Sequence, residues 1–381
     1  MQQEEKETEV DMTNRNGRKV KKLLKIIGGL LAIVFVAVIG YVAYVFLSYD
    51  RIEDRQALEI NQPKASKKDF QSDFVNTGKT YTVGTYNVGF GAYLPDYSFF
   101  MDGGEYSRCY SGESGADTIQ KAAGLALQYK PDFMMFQEVD RDSTRSYHVN
   151  QEALITDIFD NYYETFAVNY DSAYLLYPFT EPIGASYSGI AMYSKYEIRE
   201  SLRRSLPIST GFSKFLDLDR CYSINRVKVD NGKELVLFLV HLSAYGNSDE
   251  IRQGQLNMLF QDMEEELQKG NYIICGGDFN HNLKADEADS ENCESWAYPF
   301  PRSRMPEGIG FAMDRLEEEA VANMPESGRN SDMEYVPGET FTCTLDGFII
   351  SDNIDLKDYK VIDSGFAYSD HEPVFMDFQL K

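Results

Sequence analysis

The chain is organised around one short stretch, Ile273-Ile274-Cys275-Gly276-Gly277-Asp278-Phe279-Asn280. An apolar run that ends in two glycines is typical of a buried strand reaching the rim of its sheet. Strand geometry has a period of two, so Asp278 and Asn280 should point to one side while Phe279 turns into the core. The glycines allow backbone or ligand to approach where a Cβ would intrude. We therefore expect a carboxylate and an amide that together hold a water, with a simple Asx-turn at the strand end as the alternative.

Composition bounds the class of protein. The chain has 381 residues, of which 43% are hydrophobic, enough for a sizeable core in one large or two ordinary domains. Its 61 acidic and 37 basic residues give a formal net charge of −24. Proteins that bind nucleic acid tightly through its phosphates usually show a basic face. The charge therefore argues against broad nucleic-acid binding, although a divalent cation can still bring a polyanion to an acidic site.

The N-terminus predicts a membrane anchor. Ile26 to Leu47 is an uncharged run of 22 residues, and at ~1.5 Å per residue it spans the ~30 Å hydrocarbon core. A cleaved signal, the alternative, has a shorter apolar region of roughly 7–15 residues. Basic residues crowd the preceding segment: Arg15, Arg18, Lys19, Lys21, Lys22 and Lys25. The positive-inside tendency then predicts a cytoplasmic basic tail over residues 1–25, a transmembrane helix over 26–47, and an extracytoplasmic location for everything beyond.

The remainder predicts a stalk and one folded domain. Residues 48–78 are polar and charged around Pro63, as in a linker, and the domain is expected over residues 79–381. There, short apolar strands alternate with helices but without regular βαβ order. This pattern predicts an α+β fold in which two packed, mostly antiparallel sheets are flanked by helices as a four-layer sandwich. The five cysteines are widely spaced, show no metal-ligand spacing, and leave any disulfide pairing open.

Polar side chains stand at the ends of the predicted strands, in six motifs. The motifs are Thr85-Tyr86-Asn87, Gln137-Glu138-Val139, Val240-His241-Leu242, Gly277-Asp278-Phe279-Asn280, Leu345-Asp346-Gly347-Phe348 and Ser369-Asp370-His371-Glu372-Pro373-Val374. In these motifs and their order the chain resembles the endonuclease/exonuclease/phosphatase superfamily, which has the deoxyribonuclease-I-like fold. The resemblance runs from about Lys79 to Lys381 and is that of a membrane-anchored, bacterial-type member.

The resemblance implies a metal-dependent hydrolase of phosphoric ester bonds. Glu138 would hold Mg²⁺, or Mn²⁺ in its place, because a hard ion of this kind accepts one or two carboxylates and keeps several waters. Asn87 and Asp370 would complete or orient that shell. His371, oriented by Asp346, would be the general base, since the carboxylate selects the tautomer and raises the basicity of the ring.

The other motif residues would act on water and phosphate. Asp278 and Asn280 would position the nucleophile, and His241 would donate to the phosphate or assist the leaving oxygen. Arg145, whose planar fork suits phosphate, and His148 on the same polar loop are candidates for substrate contact, with an ordinary loop as the alternative. Two aromatic segments, Tyr174–Phe179 and Ser186–Tyr196, are expected to pack in the core; docking on lipid is the alternative for them.

Two features bear on the class of substrate: the branch of the superfamily that the motifs resemble, and the side of the membrane on which the domain lies. A histidine in the third motif is similar to the branch that holds deoxyribonuclease I, the bacterial sphingomyelinases and several phosphatases. With an acidic surface outside the membrane, a phospholipid or small phosphoester is favoured over duplex DNA. An extracellular deoxyribonuclease-like endonuclease is the first alternative. A pseudoenzyme that only binds phosphorylated ligands is the second, disfavoured because no catalytic position is missing. No protein partner can be inferred.

Overall fold

A computed structural model describes residues 2–64, 74–209, 218–243, 249–288 and 296–381. The chain divides into two compact units, Met1–Asp50 and Arg51–Lys381. The helices of the described residues are α1 (Gln2–Ser48), α2 (Gly112–Gln128), α3 (Gln151–Ile158), α4 (Asp249–Gln268) and α5 (Glu318–Ala322). The four cysteines that fall in these residues, Cys109, Cys221, Cys275 and Cys343, are buried.

Helix α1 makes up the first unit. Its segment Arg18–Ser48 reaches a mean hydropathy of 2.7, and none of that apolar stretch is buried. The predicted span 26–47 lies inside this segment. By length and composition, α1 can therefore serve as a single membrane span or a signal anchor.

The second unit is built on two large sheets. Its strands are β1 (Gln56–Ala57), β2 (Ile60–Asn61), β3 (Thr80–Asn87), β4 (Phe133–Asp140), β5 (Tyr163–Asp171), β6 (Tyr187–Ser194), β7 (Ile198–Ser205), β8 (Cys221–Lys228), β9 (Glu234–His241), β10 (Tyr272–Asp278), β11 (Ile309–Phe311), β12 (Gly328–Arg329), β13 (Thr342–Cys343), β14 (Asp346–Ser351), β15 (Ile354–Val361) and β16 (Val374–Leu380). One seven-stranded sheet has the order β1-β7-β8-β9-β10-β14-β11, and the other has the order β15-β16-β3-β4-β6-β5-β2. Only the pairs β3–β4 and β9–β10 are parallel among these ladders.

The main core lies between the two sheets. Met135 of one sheet and Leu237 of the other belong to the same buried apolar cluster, which Leu259 of α4 joins. A second cluster covers the opposite face of the β3–β4 sheet, where Ile119 of α2 and Ile155 of α3 pack with strand residues. The predicted α+β class, with two mostly antiparallel sheets and flanking helices, is confirmed.

Part of the segment expected to be a stalk is folded. Strand β1 pairs with β7 and β2 pairs with β5. Arg51 forms an ion pair with Asp219 at 2.6 Å, and Asp54 forms one with Arg204 at 3.1 Å. The folded unit therefore begins near Arg51 rather than Lys79. Strands of two residues carry no recognisable period, so composition alone did not indicate them.

The glycines of the opening stretch make a close approach possible. Gly277 has a φ of 145°, and a Cβ there would lie 2.0 Å from the carbonyl oxygen of Val240 on the neighbouring parallel strand. No side chain fits at that distance, so this position requires glycine. The strand is thereby held close to β9 just before it presents Asp278.

Candidate active site

The site forms where the carboxyl ends of the two parallel strand pairs meet. Asn87 ends β3 and Glu138 lies near the end of β4, while His241 ends β9 and Asp278 ends β10. Parallel neighbours deliver their carboxyl ends to one edge of a sheet, and the two sheets face each other at that edge. The amide Nδ2 of Asn87 donates to Oδ2 of Asp278 at 3.1 Å, joining the sheets at the site.

One carboxylate oxygen of Asp278 closes a turn of its own chain, and the other lies near two histidines of the site. Its Oδ1 accepts from the backbone N–H of Asn280 at 2.8 Å, so the Asx-turn of the alternative interpretation is present. Its Oδ2, however, lies 3.6 Å from Nε2 of His241 and 3.7 Å from Nε2 of His371. Burial raises the pKa of Asp278 to about 7, with Asp346 adding to the rise and His371 opposing it. Asn280 adopts a φ of 50°, a region that asparagine tolerates well.

His371 and Asp346 form a buried pair. Nδ1 of His371 donates to Oδ2 of Asp346 at 2.8 Å, and the same oxygen accepts from Oγ of Ser327 at 2.8 Å. Asp346 is directly opposite Asp278 in the β10–β14 register. Burial by itself lowers the pKa of His371, but Asp346 and Asp278 outweigh burial and raise this pKa well above its usual range. With Nδ1 engaged, Nε2 is the nitrogen left for substrate chemistry.

Glu138 sits on an interrupted strand. The β4–β6 register shifts between Phe136 and Val139, and Glu138 has a φ of 56°. Such a bulge redirects a side chain, and a non-glycine residue at positive φ stores local strain. Oε1 of Glu138 lies 3.4 Å from Nδ2 of Asn87 and 3.9 Å from Nε2 of His241. Burial raises the pKa of Glu138, and Asp370 adds to this rise while Arg145 opposes it.

The donor set around Glu138 fits a hard divalent cation. Glu138 and Asp370 both line one cavity, and their mutual repulsion makes a shared cation favourable. Asp370 is held by the hydroxyls of Ser331 at 2.9 Å and Ser369 at 3.2 Å. The side-chain oxygen of Asn87 accepts from the N–H of Gly89 at 3.1 Å and keeps a second lone pair.

A second cluster of ligand atoms lies beside the first. Asp278, Asp346 and His371 offer atoms within 4.8 Å of one another, close enough to hold an ion. Within this trio, Nδ1 of His371 and Oδ2 of Asp346 are already joined by a hydrogen bond of 2.8 Å. This trio is therefore better suited to proton transfer, and the oxygen donors around Glu138 are better suited to the metal.

His241 is a neutral ring. Burial lowers its pKa well below the usual range, and the nearby cations Arg220 and His371 lower it further. Its Nδ1 is buried and has no hydrogen-bond partner in the described residues. A neutral imidazole has one N–H to donate, so His241 is equipped to hydrogen-bond an anion rather than to carry charge.

The cavity at this edge has a volume of about 500 Å³. Arg145 lines it, with its guanidinium 3.9 Å from the centre of the Phe90 ring and ion-paired with buried Asp140 at 2.9 Å. His148 does not line it; its side chain is exposed and contacts the Asp142 carboxylate. The structure thus brings Arg145 to the site together with the motif residues and leaves His148 outside.

Sequence reasoning missed several cavity residues that lack partners. Arg220 is only 8% exposed and lines the cavity, yet its Nε and Nη1 have no hydrogen-bond partner in the described residues. The same holds for Nε of Arg329 and Nδ2 of Asn169. These orphaned atoms are all nitrogen donors, so the cavity is prepared for an anion with several oxygens. The only signal for Arg220 was a charged residue next to the start of a buried strand.

Comparison with known proteins agrees with this geometry. The model of the Endonuclease/Exonuclease/phosphatase family matches residues 84–371. A search of the curated proteins finds no match.

Solved structures share the fold at low identity. An endonuclease/exonuclease/phosphatase from Beutenbergia cavernae DSM 12333 has a TM-score of 0.54 at 16% identity, covering 79% of this chain and 72% of that one. TDP2 of D. rerio, complexed with a single-strand DNA product, has a TM-score of 0.52 at 17% identity, covering 79% and 99%. The human Nocturnin catalytic domain with a bound sulfate anion has a TM-score of 0.51 at 19% identity, covering 84% and 100%. The family match spans most of the chain, and the chain belongs to the endonuclease/exonuclease/phosphatase family of metal-dependent hydrolases that act on phosphoester bonds.

Proposed function

We propose that this protein is a membrane-anchored, extracytoplasmic, Mg²⁺-dependent phosphoesterase that hydrolyses a phosphodiester or phosphomonoester, with a phospholipid or small phosphoester favoured. The observation that carries the proposal is the hydrogen-bonded pair His371–Asp346, because His371 lines the same cavity as Glu138 and Arg220. Nε and Nη1 of Arg220 have no hydrogen-bond partner among the described residues. A base, a cation site and an anion site in one cavity are the parts that phosphoester hydrolysis needs.

The metal site and the base divide the work. Glu138, with Asn87 and Asp370, would hold Mg²⁺, which would supply charge to neutralise a phosphate oxygen and would align the displacement. Asp278 and Asn280 hold the attacking water at the strand rim. His371 takes its proton at Nε2 when the ring is in its neutral form, which the raised pKa makes the minor form at neutral pH, and Asp346 stabilises the imidazolium that results.

Three other side chains that line the cavity hold the phosphate and the leaving group. Arg220 donates to phosphate oxygens from Nε and Nη1, which have no partner in the described part of the chain, and Arg145 supplies further positive charge in the cavity wall. His241, neutral and buried, donates one N–H to the phosphate or the leaving oxygen as charge develops there.

A substrate screen tests the reaction and its metal. The full chain with Mg²⁺ should hydrolyse sphingomyelin, a phosphoinositide or a nitrophenyl phosphodiester. Chelator should abolish this activity and Mg²⁺ restore it, because one carboxylate and its neighbours hold the ion without a histidine or cysteine cage. Glu138→Gln should show the same loss of activity when Mg²⁺ is saturating and no chelator is present. Turnover by metal-stripped protein would refute the metal role. Cleavage of plasmid DNA alone would identify a nuclease, and phosphoester binding without turnover would identify a pseudoenzyme.

The second prediction separates the two histidines. His371→Ala should lower kcat by about 10²–10⁴-fold, because a base acts only in the chemical step. Asp346→Asn should cost nearly as much, and the double variant little more, since the two residues act as a unit. His241→Ala should recover more of its loss on a nitrophenyl ester, whose leaving group needs no help. Equal rescue of both histidine variants, or better rescue of His371→Ala, means that the roles are reversed.

The third prediction contrasts two buried arginines. Arg220→Met removes a buried charge whose Nε and Nη1 have no hydrogen-bond partner among the described residues, so it should keep or raise the melting temperature while lowering kcat/KM by about 10–100-fold. Arg145→Met is the matched control, because it leaves Asp140 buried and unpaired and should cost about 3–5 kcal/mol of stability. Thermal unfolding and kinetics of the two variants decide the matter. Equal destabilisation, or an unchanged kcat/KM for Arg220→Met, contradicts the assignment of Arg220 as the anion ligand.

The proposed location has its own test. The basic residues before the apolar segment of α1 support a cytoplasmic N-terminus and a folded unit outside the membrane. Protease added to intact cells should therefore release a fragment that carries most of Arg51–Lys381. An N-terminal tag should stay protected in the same cells. A folded unit that becomes accessible only after permeabilisation has the opposite orientation.

A further inference from the structure

One exposed apolar surface lies beside the cavity, and we call it the aromatic rim: Met101, Leu176, Tyr177 and Phe179. Their exposed fractions are 62%, 40%, 64% and 84%. Three of them belong to the loop between β5 and β6, in the segment Tyr174–Phe179 that was expected to pack in the core. That expectation is wrong for the loop, whereas Ser186–Tyr196 forms the buried strand β6 and its turn, as expected.

The aromatic rim is continuous with the cavity wall. Phe99 lines the cavity, and its ring centre lies 5.0 Å from that of Phe100. Phe100 lies 5.7 Å from Tyr177, which lies 6.2 Å from Phe179. Successive rings thus lead from the cavity out to the most exposed aromatic side chain of the folded unit's described residues.

The base of the loop between β5 and β6 is held by hydrogen bonds and packing, so the exposure of its tip does not come from a loosely held segment. Leu175 and Gly184 exchange two backbone hydrogen bonds of 3.1 Å at its base. Leu175 and Ile183 pack with Phe99 in a small buried cluster. The base of the loop is therefore fixed beside the cavity while its aromatic tip projects into solvent. A contiguous exposed apolar patch of this kind marks a docking surface.

Charge and tethering indicate what docks there. Asp102 and Glu181 flank the aromatic rim, and the whole chain carries −24, so an anionic surface would be repelled. Tyrosine and phenylalanine suit the boundary between headgroups and acyl chains. Helix α1 can cross a bilayer, and a chain so anchored meets that bilayer at high effective concentration. We propose that the aromatic rim inserts into the surface of a zwitterionic phospholipid bilayer and sets the mouth of the cavity against it.

Fluorescence quenching by lipid tests this docking without any enzymatic turnover. The full chain is placed in phosphatidylcholine nanodiscs with and without brominated acyl chains. Phe179→Trp introduces a reporter at the tip of the aromatic rim, and the single native tryptophan, Trp296, is subtracted with wild-type protein. Lys228→Trp is the matched control, because Lys228 is exposed at the end of β8 remote from the cavity.

The expected result is loss of emission and a shift to shorter wavelength for Phe179→Trp in brominated lipid, with neither change for Lys228→Trp. Adding Tyr177→Ser to Phe179→Trp should restore part of the emission, because less apolar surface is inserted. If brominated lipid quenches Phe179→Trp no more than it quenches Lys228→Trp, the proposal is overturned. This outcome includes the case in which a second copy of the chain, rather than lipid, covers the aromatic rim. A chain that hydrolyses a soluble phosphoester but shows no quenching refutes docking alone; a quenched but inactive chain refutes the proposed reaction alone.

Discussion

The hydrogen bond between Asn87 and Asp278 ties the molecule together at its functional edge. It joins the last residue of β3 to the last residue of β10, and these two strands belong to different sheets. The same amide nitrogen lies 3.4 Å from Glu138 and 3.4 Å from His371. One side chain therefore lies close to Glu138, His371 and Asp278, the residues proposed to hold the cation, to act as the base and to hold the water. A shift of one sheet against the other would move all of these groups apart.

Close packing of the sheets maintains that contact. Gly276 lies between them, and a Cβ there would approach the ring of Phe348 to 2.5 Å and the sulfur of Met135 on the facing sheet to 2.9 Å. Glycine at this central position lets the sheets approach closely enough for short polar side chains to meet. The catalytic geometry is thus a property of the core as much as of the rim.

The sequence predicted the parts of this arrangement that repeat or carry a pattern. Strand ends such as Asn87, His241 and Asp278 follow apolar runs, so both the sheets and the polar edge could be foreseen. Arg220 and Asn169 could not, because each is a single polar residue that reaches the cavity from a segment without a motif. The exposure of Phe179 was also hidden, since an aromatic loop has the same composition whether its neighbours cover it or not.

The charges of the chain act differently on a ligand at long range and on a ligand in contact with the cavity. A net charge of −24 repels polyanions, but charges on the surface are screened beyond about 8 Å at physiological ionic strength. The cavity wall nevertheless carries Arg145, Arg220 and Arg329 among its carboxylates, and N–H groups of Arg220 and Arg329 have no hydrogen-bond partner among the described residues. Attraction for phosphate is therefore short-ranged and confined to the site. Under the proposed function, this distribution of charge would disfavour long polyanions and favour a single phosphate carried by a neutral or zwitterionic molecule, which is the chemistry that an apolar surface beside the cavity would also favour.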